Sequence, residues 1–215
     1  ELQAATLADV LAFHRTFYRP DNVTLIVAGD FNQKQLDGWV NEYFGAIPKP
    51  AATIPKVTAN EPARTADERL TLTSETAPLP AVAMTWLIPP AADADIVPLQ
   101  VAAALLSHGE SSRLNQSLVY RAQIAQSADA QVDARVGPGL FVLVAVMASG
   151  HQTGEAEKML LDEVRKLAST PIPAAELDKV KTQLLTEQLV QRQTAEGKAF
   201  ALGNAILQDG DAARA

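Results

Sequence analysis

Residues 105–130 read LLSHGESSRLNQSLVYRAQIAQSADA, and this stretch decides the fold. The apolar run ending at Leu106 is stopped at Gly109, which reads as the close of one helix and a turn. Ser111 and Ser112 come next, where a serine hydroxyl can accept from the free N–H groups of a new helix. Leu114 and Leu118 stand four apart on one helical face with Val119 beside them, so a short second helix is expected. From Ile124 the apolar spacing shifts toward two, and a strand follows. Helix, turn, helix and strand in one short span predict an α+β core. The span holds no nucleophile–base pair and no set of metal ligands.

Downstream, Ala128–Val136 alternates as a strand with Asp and Arg on a wet face. Gly137-Pro138-Gly139 reads as a hairpin turn, and Leu140–Val146 as its core partner. Thr153 to about Ala168 is a helix with Met159, Leu160, Val164 and Leu167 apolar. Pro171 and Pro173 break the chain, and Ala174 to about Leu207 is one long helical pattern with a weak point at Gly197.

Upstream, Asp93 or Asp95 starts a helix that tolerates Pro98 in its first turn. Leu99 and residues 101–106 make that helix apolar nearly all round, as in a buried one. Ala81–Ile88 is a strand stopped by Pro89-Pro90, and Arg69–Thr73 alternates as another. Pro48, Pro50, Pro55 and Pro62, set among small residues, read as a linker. Before it, Thr6 with Asp9 starts a helix to about Tyr18. Val23–Ala28 reads as a strand buried on both faces, and Asn32 caps a helix from Gln33 to Phe44. The expected order is α-β-α, linker, then β-β-α-α-β-β-α-α. That is an α+β fold with helices on one face of a mainly antiparallel sheet.

Two blocks carry a resemblance. Gly109-Glu110-Ser111-Ser112-Arg113-Leu114, followed by Leu118-Val119-Tyr120 and Ile124-Ala125-Gln126-Ser127, resembles the second-domain signature of pitrilysin/insulinase-type zinc metallopeptidases. Phe13 to Asn22, Val27-Ala28-Gly29-Asp30 and Tyr43-Phe44-Gly45-Ala46-Ile47-Pro48 are similar to the end of the first domain in that family. Both blocks come from one family and stand in the right order. The resemblance implies the tail of a first domain over 1–47, a proline-rich linker over 48–65, and a second, non-metal-binding domain over 66–215.

Bulk properties exclude more than they identify. A hydrophobic fraction of 47% and a charged fraction of 20% are ordinary for a globular chain. Net charge −7 and a pI near 5.0 argue against nucleic acid or an anionic membrane surface as the main partner. With no cysteine, disulfides, thiolate metal sites and cysteine nucleophiles are ruled out. The apolar run 140–148 is strand-sized and too short to span a bilayer. Glu1-Leu2-Gln3 lacks a basic leader and opens inside a helix-like pattern, so the chain is expected to be a piece of a longer protein.

Chemistry-bearing residues are sparse. His14, His108 and His151 lack H-x-x-E-H spacing and read as structural or solvated histidines, since a zinc site needs three or more convergent ligands. Acids such as Glu155, Glu157, Asp162, Glu163, Glu176 and Asp178 alternate with lysines and arginines, as on solvated helix faces. The nucleophile elbow G-x-S-x-G is absent, so Ser111 and Ser112 read as caps. Phosphate-loop and dinucleotide patterns are missing too.

In the family, an H-x-x-E-H helix and a distant glutamate hold zinc in the early part of the first domain. Zinc-activated water attacks the peptide bond, with the motif glutamate as general base. Split members carry, on the half without zinc, an Arg/Tyr pair; Val119 and Gln126 occupy those places here, and Tyr120 and Arg121 are one residue off. The resemblance therefore implies zinc and a peptide substrate in the parent protein, with a homologous partner half or subunit, and no catalytic or metal residue in this fragment. Ser111, Ser112, Arg113 and Leu114 remain as signature positions. Two readings stand: the parent is the zinc-bearing half, which the L-V-Y-x-x-Q-I-A-Q-S form favours, or a non-catalytic structural or regulatory relative. Val23–Ala28, a buried-type strand without its neighbours, predicts self-association.

Overall fold

The computed structural model describes residues 2–56, 58, 62 and 64–215, so Glu1 and part of the expected linker (57, 59–61 and 63) lie outside the described residues. Helix α1 (Leu7–Phe17) starts as its sequence dictates: the Thr6 hydroxyl accepts from the Asp9 N–H, and the Asp9 carboxylate accepts from the Thr6 N–H. The Thr6 hydroxyl, then its backbone, hold the Asp9 carboxyl below its ordinary range. Helix α2 (Gln33–Phe44) is capped by the Asn32 side chain, which accepts from Gln35 N–H at 3.0 Å. Neither helix buries a residue.

Between them the expected strand Val23–Ala28 is absent as a strand. Val23 is extended (φ −126°, ψ 137°), but no ladder partner stands beside the segment among the described residues. Val23, Leu25 and Val27 are 62%, 57% and 41% exposed. An apolar run shows that a segment can be a strand, yet the ladder needs a neighbour, and every strand of the sheet comes from residue 81 onward. Arg69–Thr73 is corrected for the same reason; it joins no sheet, although Arg69 pairs with Glu157.

Arg19 fastens this N-terminal part to the proline-rich segment. Its guanidinium grips both oxygens of Asp21 at 2.5 and 2.9 Å and donates to the carbonyls of Pro50 and Ala52 at 2.9 and 2.7 Å. The Arg19 hydrogen bonds hold the Asp21 carboxyl below its ordinary range.

From residue 81 the chain builds a packed core. Strand β1 (Ala81–Ile88) is followed by helix α3 (Ile96–Ser107), with Asp95 at its cap position. The expected second helix is a π-helix, Asn115–Arg121, ended by Gln123 at φ 55°. Strand β2 (Ala125–Asp133) begins three residues earlier than its alternation suggests, and its ladder shifts between Ala125 and Ser127, a bulge at Gln126. Strand β3 (Gly139–Met147) and helix α4 (Thr153–Ser169) follow. The sheet is antiparallel in the order β1-β3-β2. Gly139 sits where the turn closes: a Cβ there would lie 2.4 Å from the Asp133 carbonyl oxygen.

The long terminal helix is two helices, α5 (Ala174–Gln191) and α6 (Ala195–Asp209). The break falls at residues 192–194, ahead of the glycine. Thr194 starts α6 by accepting from the Gly197 N–H at 2.9 Å, and a Cβ on Gly197 would lie 1.6 Å from the Gln191 carbonyl oxygen. Glycine is needed there because the end of α5 passes too close for any side chain.

The order of elements is thus α-α, then β-α-π-β-β-α-α-α, within the expected α+β class. Leu106, Leu114, Leu118, Leu143, Met147 and Leu160 form the centre of a core between the sheet and α3, the π-helix and α4. A satellite cluster of Ala104, Leu105 and Val180 packs α5 onto α3. The helices cover one face of the sheet; Val142, Val144 and Val146 on the other are half-exposed.

Candidate functional site

The signature residues hold the molecule together around a cleft. Leu114 and Leu118 are fully buried in the core. Ser112 is buried too, but not as a helix cap: its hydroxyl accepts from the Asn115 side-chain amide at 3.0 Å. The same amide donates to the carbonyls of Ser107 and Gly109 at 3.3 and 3.2 Å, so it ties the turn after α3 into one unit. Ser111 accepts from Lys179 on α5, and again no backbone cap is formed among the described residues. Arg113 makes a two-pronged pair with Glu176 in the first turn of α5, at 2.7 and 2.8 Å. The Arg113 hydrogen bond lowers the Glu176 carboxyl below its ordinary range and raises the guanidinium in turn. Glu176 is therefore a bridge, and not part of a solvated helix face as its spacing suggested.

Each histidine has a neighbour that sequence spacing could not assign, or only partly. His14 stacks on Tyr18 with ring centres 4.9 Å apart. His108 Nε2 lies 2.8 Å from a carboxylate oxygen of Glu187 on α5, and His151 Nδ1 lies 3.3 Å from Glu155. Among the described residues no group of three or more His, Cys, Asp or Glu is placed to hold a metal ion. These residues do not fit a zinc centre, and no catalytic step is derived from them.

A cleft of about 770 Å³ opens between α3, α5 and β2. Val97, Gln100, Val101 and Ala104 line it from α3, and Lys181, Leu184, Leu185, Glu187, Gln188 and Gln191 from α5. Asp129, Ala130, Gln131 and Val132 line it from β2. Successive strand residues point to opposite faces, so four in a row border one cleft only along the edge of the strand. That edge is open, because β2 is the terminal strand of the sheet. Ala148 N–H donates to Ile124 and the ladder alternates; past the bulge, Ser127, Asp129, Gln131 and Asp133 turn their backbone toward β3. Ala128, Ala130 and Val132 turn theirs outward, and the Ser107 hydroxyl takes the Ala130 carbonyl at 3.0 Å. Gln126, at the place of the family's tyrosine, is exposed at the bulge. The cleft itself was missed by sequence reasoning, since its walls come from segments far apart in the chain.

Comparison with known proteins bears out the family and the fold. The sequence profile of the "Peptidase M16 inactive domain" matches residues 4–184. The zinc protease PqqE of Helicobacter pylori is 23% identical over 210 residues, covering 97% of this chain and 47% of that protein. A solved protease structure from Helicobacter pylori superposes with a TM-score of 0.90 at 23% identity, covering 97% of this chain and 51% of that one. The chain thus spans about half the length of these relatives. The inactive peptidase domain of a Bordetella parapertussis protein is 27% identical with a TM-score of 0.54, over 61% of this chain and 71% of that one. The pitrilysin/insulinase resemblance read from residues 13–48 and 109–127 is borne out, and the chain belongs to the peptidase M16 family through its inactive domain.

Proposed function

We propose that this chain is a C-terminal portion of a zinc-dependent metalloendopeptidase subunit. Residues 1–47 are the tail of a first domain, 48–65 a linker, and 66–215 a second domain that walls a peptide chamber and meets a homologous partner half. The observation that carries this reading is the cleft along the open β2 edge. An extended peptide can add to such an edge through main-chain hydrogen bonds, here with Ala128, Ala130 and Val132. Gln100, Gln131, Gln188 and Gln191 line the cleft with amides that both donate and accept, which suits a peptide backbone of any sequence. Ser111 and Arg113 act as positioning residues that tie α5 to the turn after α3, while Ser112 and Leu114 fix that turn and anchor it in the core. Zinc, its water and the general base belong to the part of the protein outside these residues.

The test is zinc content and endopeptidase activity, measured side by side on the 215-residue chain and on the chain extended upstream. Zinc and activity in the longer chain alone support the reading. Neither in either chain favours the structural or regulatory relative. Zinc held tightly by the 215 residues themselves would overturn it.

A further inference from the structure

The two faces of the sheet differ along the β2 edge. Side chains alternate between them: Ala128 and Ala130 are buried on the helix side, whereas Ser127, Asp129 and Gln131 are exposed on the other. On the helix side the cleft is an apolar trough, with Val101 and Ala104 from α3, Leu184 and Leu185 from α5, and Ala130 and Val132 from β2. The charged groups lining it there are His108, Glu187 and Lys181, and the first two engage each other at 2.8 Å. On the other face Asp133 is engaged by Arg135. Two charges that border the cleft are left without a side-chain partner among the described residues: Asp129 on the open face of the strand and Lys181 on the α5 wall.

Ala128, Ala130 and Val132 turn their backbone groups outward, so the residues of an added strand that stand opposite them share its hydrogen bonds and point to the helix side. Residues opposite Asp129 and Gln131 fall between and point to the other face. In an antiparallel addition these are the closely spaced pairs, in which cross-strand side chains stand nearest each other. A cation opposite Asp129 meets an opposite charge directly across the strand. A cation opposite Ala130 would instead enter apolar surroundings beside Lys181. We propose that the β2 edge selects an extended peptide of alternating character, apolar toward the helices and lysine or arginine toward Asp129. This selectivity rests on the cleft being a peptide site: the glutamine amides serve any backbone, and Asp129, Lys181 and the trough sort the side chains. A slip of the peptide by one residue exchanges its two faces, so the same three features fix its register.

Anisotropy titrations of the 215-residue chain with two short fluorescent peptides of one composition test this. One alternates valine and lysine; the other holds its valines and lysines in separate blocks. Both carry the same charge toward a chain of net charge −7, so unspecific attraction is equal for the two. The alternating peptide is expected to bind roughly threefold to tenfold more tightly. Asp129→Lys, at an exposed position, should leave the thermal melt unchanged and reverse the charge preference: an alternating valine–glutamate peptide then binds better than the valine–lysine one, although the chain as a whole stays negative. Equal affinity for the alternating and block peptides overturns the selectivity, as does a lysine preference that survives Asp129→Lys. N-methylation of the peptide amides tells the two failures apart. If it abolishes binding, the edge stands as a peptide site without the selectivity. If binding is unchanged, or if no peptide binds at all, the peptide site falls with it.

Discussion

Helix α2 gathers Leu36, Trp39, Val40, Tyr43 and Phe44 on one side, and helix α4 gathers Ala156, Met159, Leu160, Val164 and Leu167 on one side. By pattern they are equals. In the structure Ala156 and Leu160 are fully buried, whereas Trp39, Tyr43 and Phe44 are 47%, 66% and 55% exposed. The difference is what each stripe meets. α4 meets a sheet whose core face is Met84, Leu143, Ala145 and Met147; among the described residues, no α2 side chain belongs to that core or packs against it. Amphipathicity states that an element has a side to bury, and burial requires that the other wall be present. The same contrast separates β3, paired on both sides, from Val23–Ala28, paired on neither.

Substitutions can break or sharpen this comparison. Leu118→Ala, in the fully buried centre, should cost about 2–5 kcal/mol in denaturant unfolding through lost burial and an unfilled cavity. A loss below about 1 kcal/mol would mean that the core between the π-helix and the sheet is looser than its burial indicates. Gly139→Ala should cost about 1–3 kcal/mol, as the new Cβ meets the Asp133 carbonyl and the Ile88 side chain. The check is a thermal melt followed by circular dichroism.

Arg113→Ala should cost about 1 kcal/mol, since the pair with Glu176 is only partly shielded from water. Its pH dependence is more telling. The Glu176 carboxyl is lowered from 4.5 in the folded chain, so its contribution is full above that ordinary value and is lost as pH falls through the lowered one. The gap between wild type and variant should therefore be constant near neutrality and shrink below about pH 4, read as midpoint shifts across a pH series. Trp39→Ala is expected to change stability by no more than about 0.5 kcal/mol despite the size of the residue. A loss comparable to that of Leu118→Ala would show that α2 has found a wall.

The packed region was legible in its parts. Leu114 and Leu118 at helical spacing, the Gly137–Gly139 turn and the alternation of β3 each follow from a local rule, and each is realised. Local rules failed where a partner decides. Val23–Ala28 and Arg69–Thr73 have strand composition and no neighbour. The bulge at Gln126 depends on how β2 meets β3. Arg113 and Glu176 stand 63 residues apart, and no spacing rule announces that they meet. The cleft was invisible for the same reason, while the family was not, because its signature is local.

Two carboxylate ties join α5 to the segment that follows α3, beside the Ser111–Lys179 hydrogen bond and the packing of Val180 on Ala104 and Leu105. One is Arg113 with Glu176, the other His108 with Glu187, and the carboxylates lie eleven residues apart on one rod, or about 16 Å along its axis. Held at both points and packed through Val180 between them, α5 stands opposite β2 as a wall at a defined distance. A chain segment entering between the two finds the opening already made, and little of the binding free energy is lost to shaping the wall.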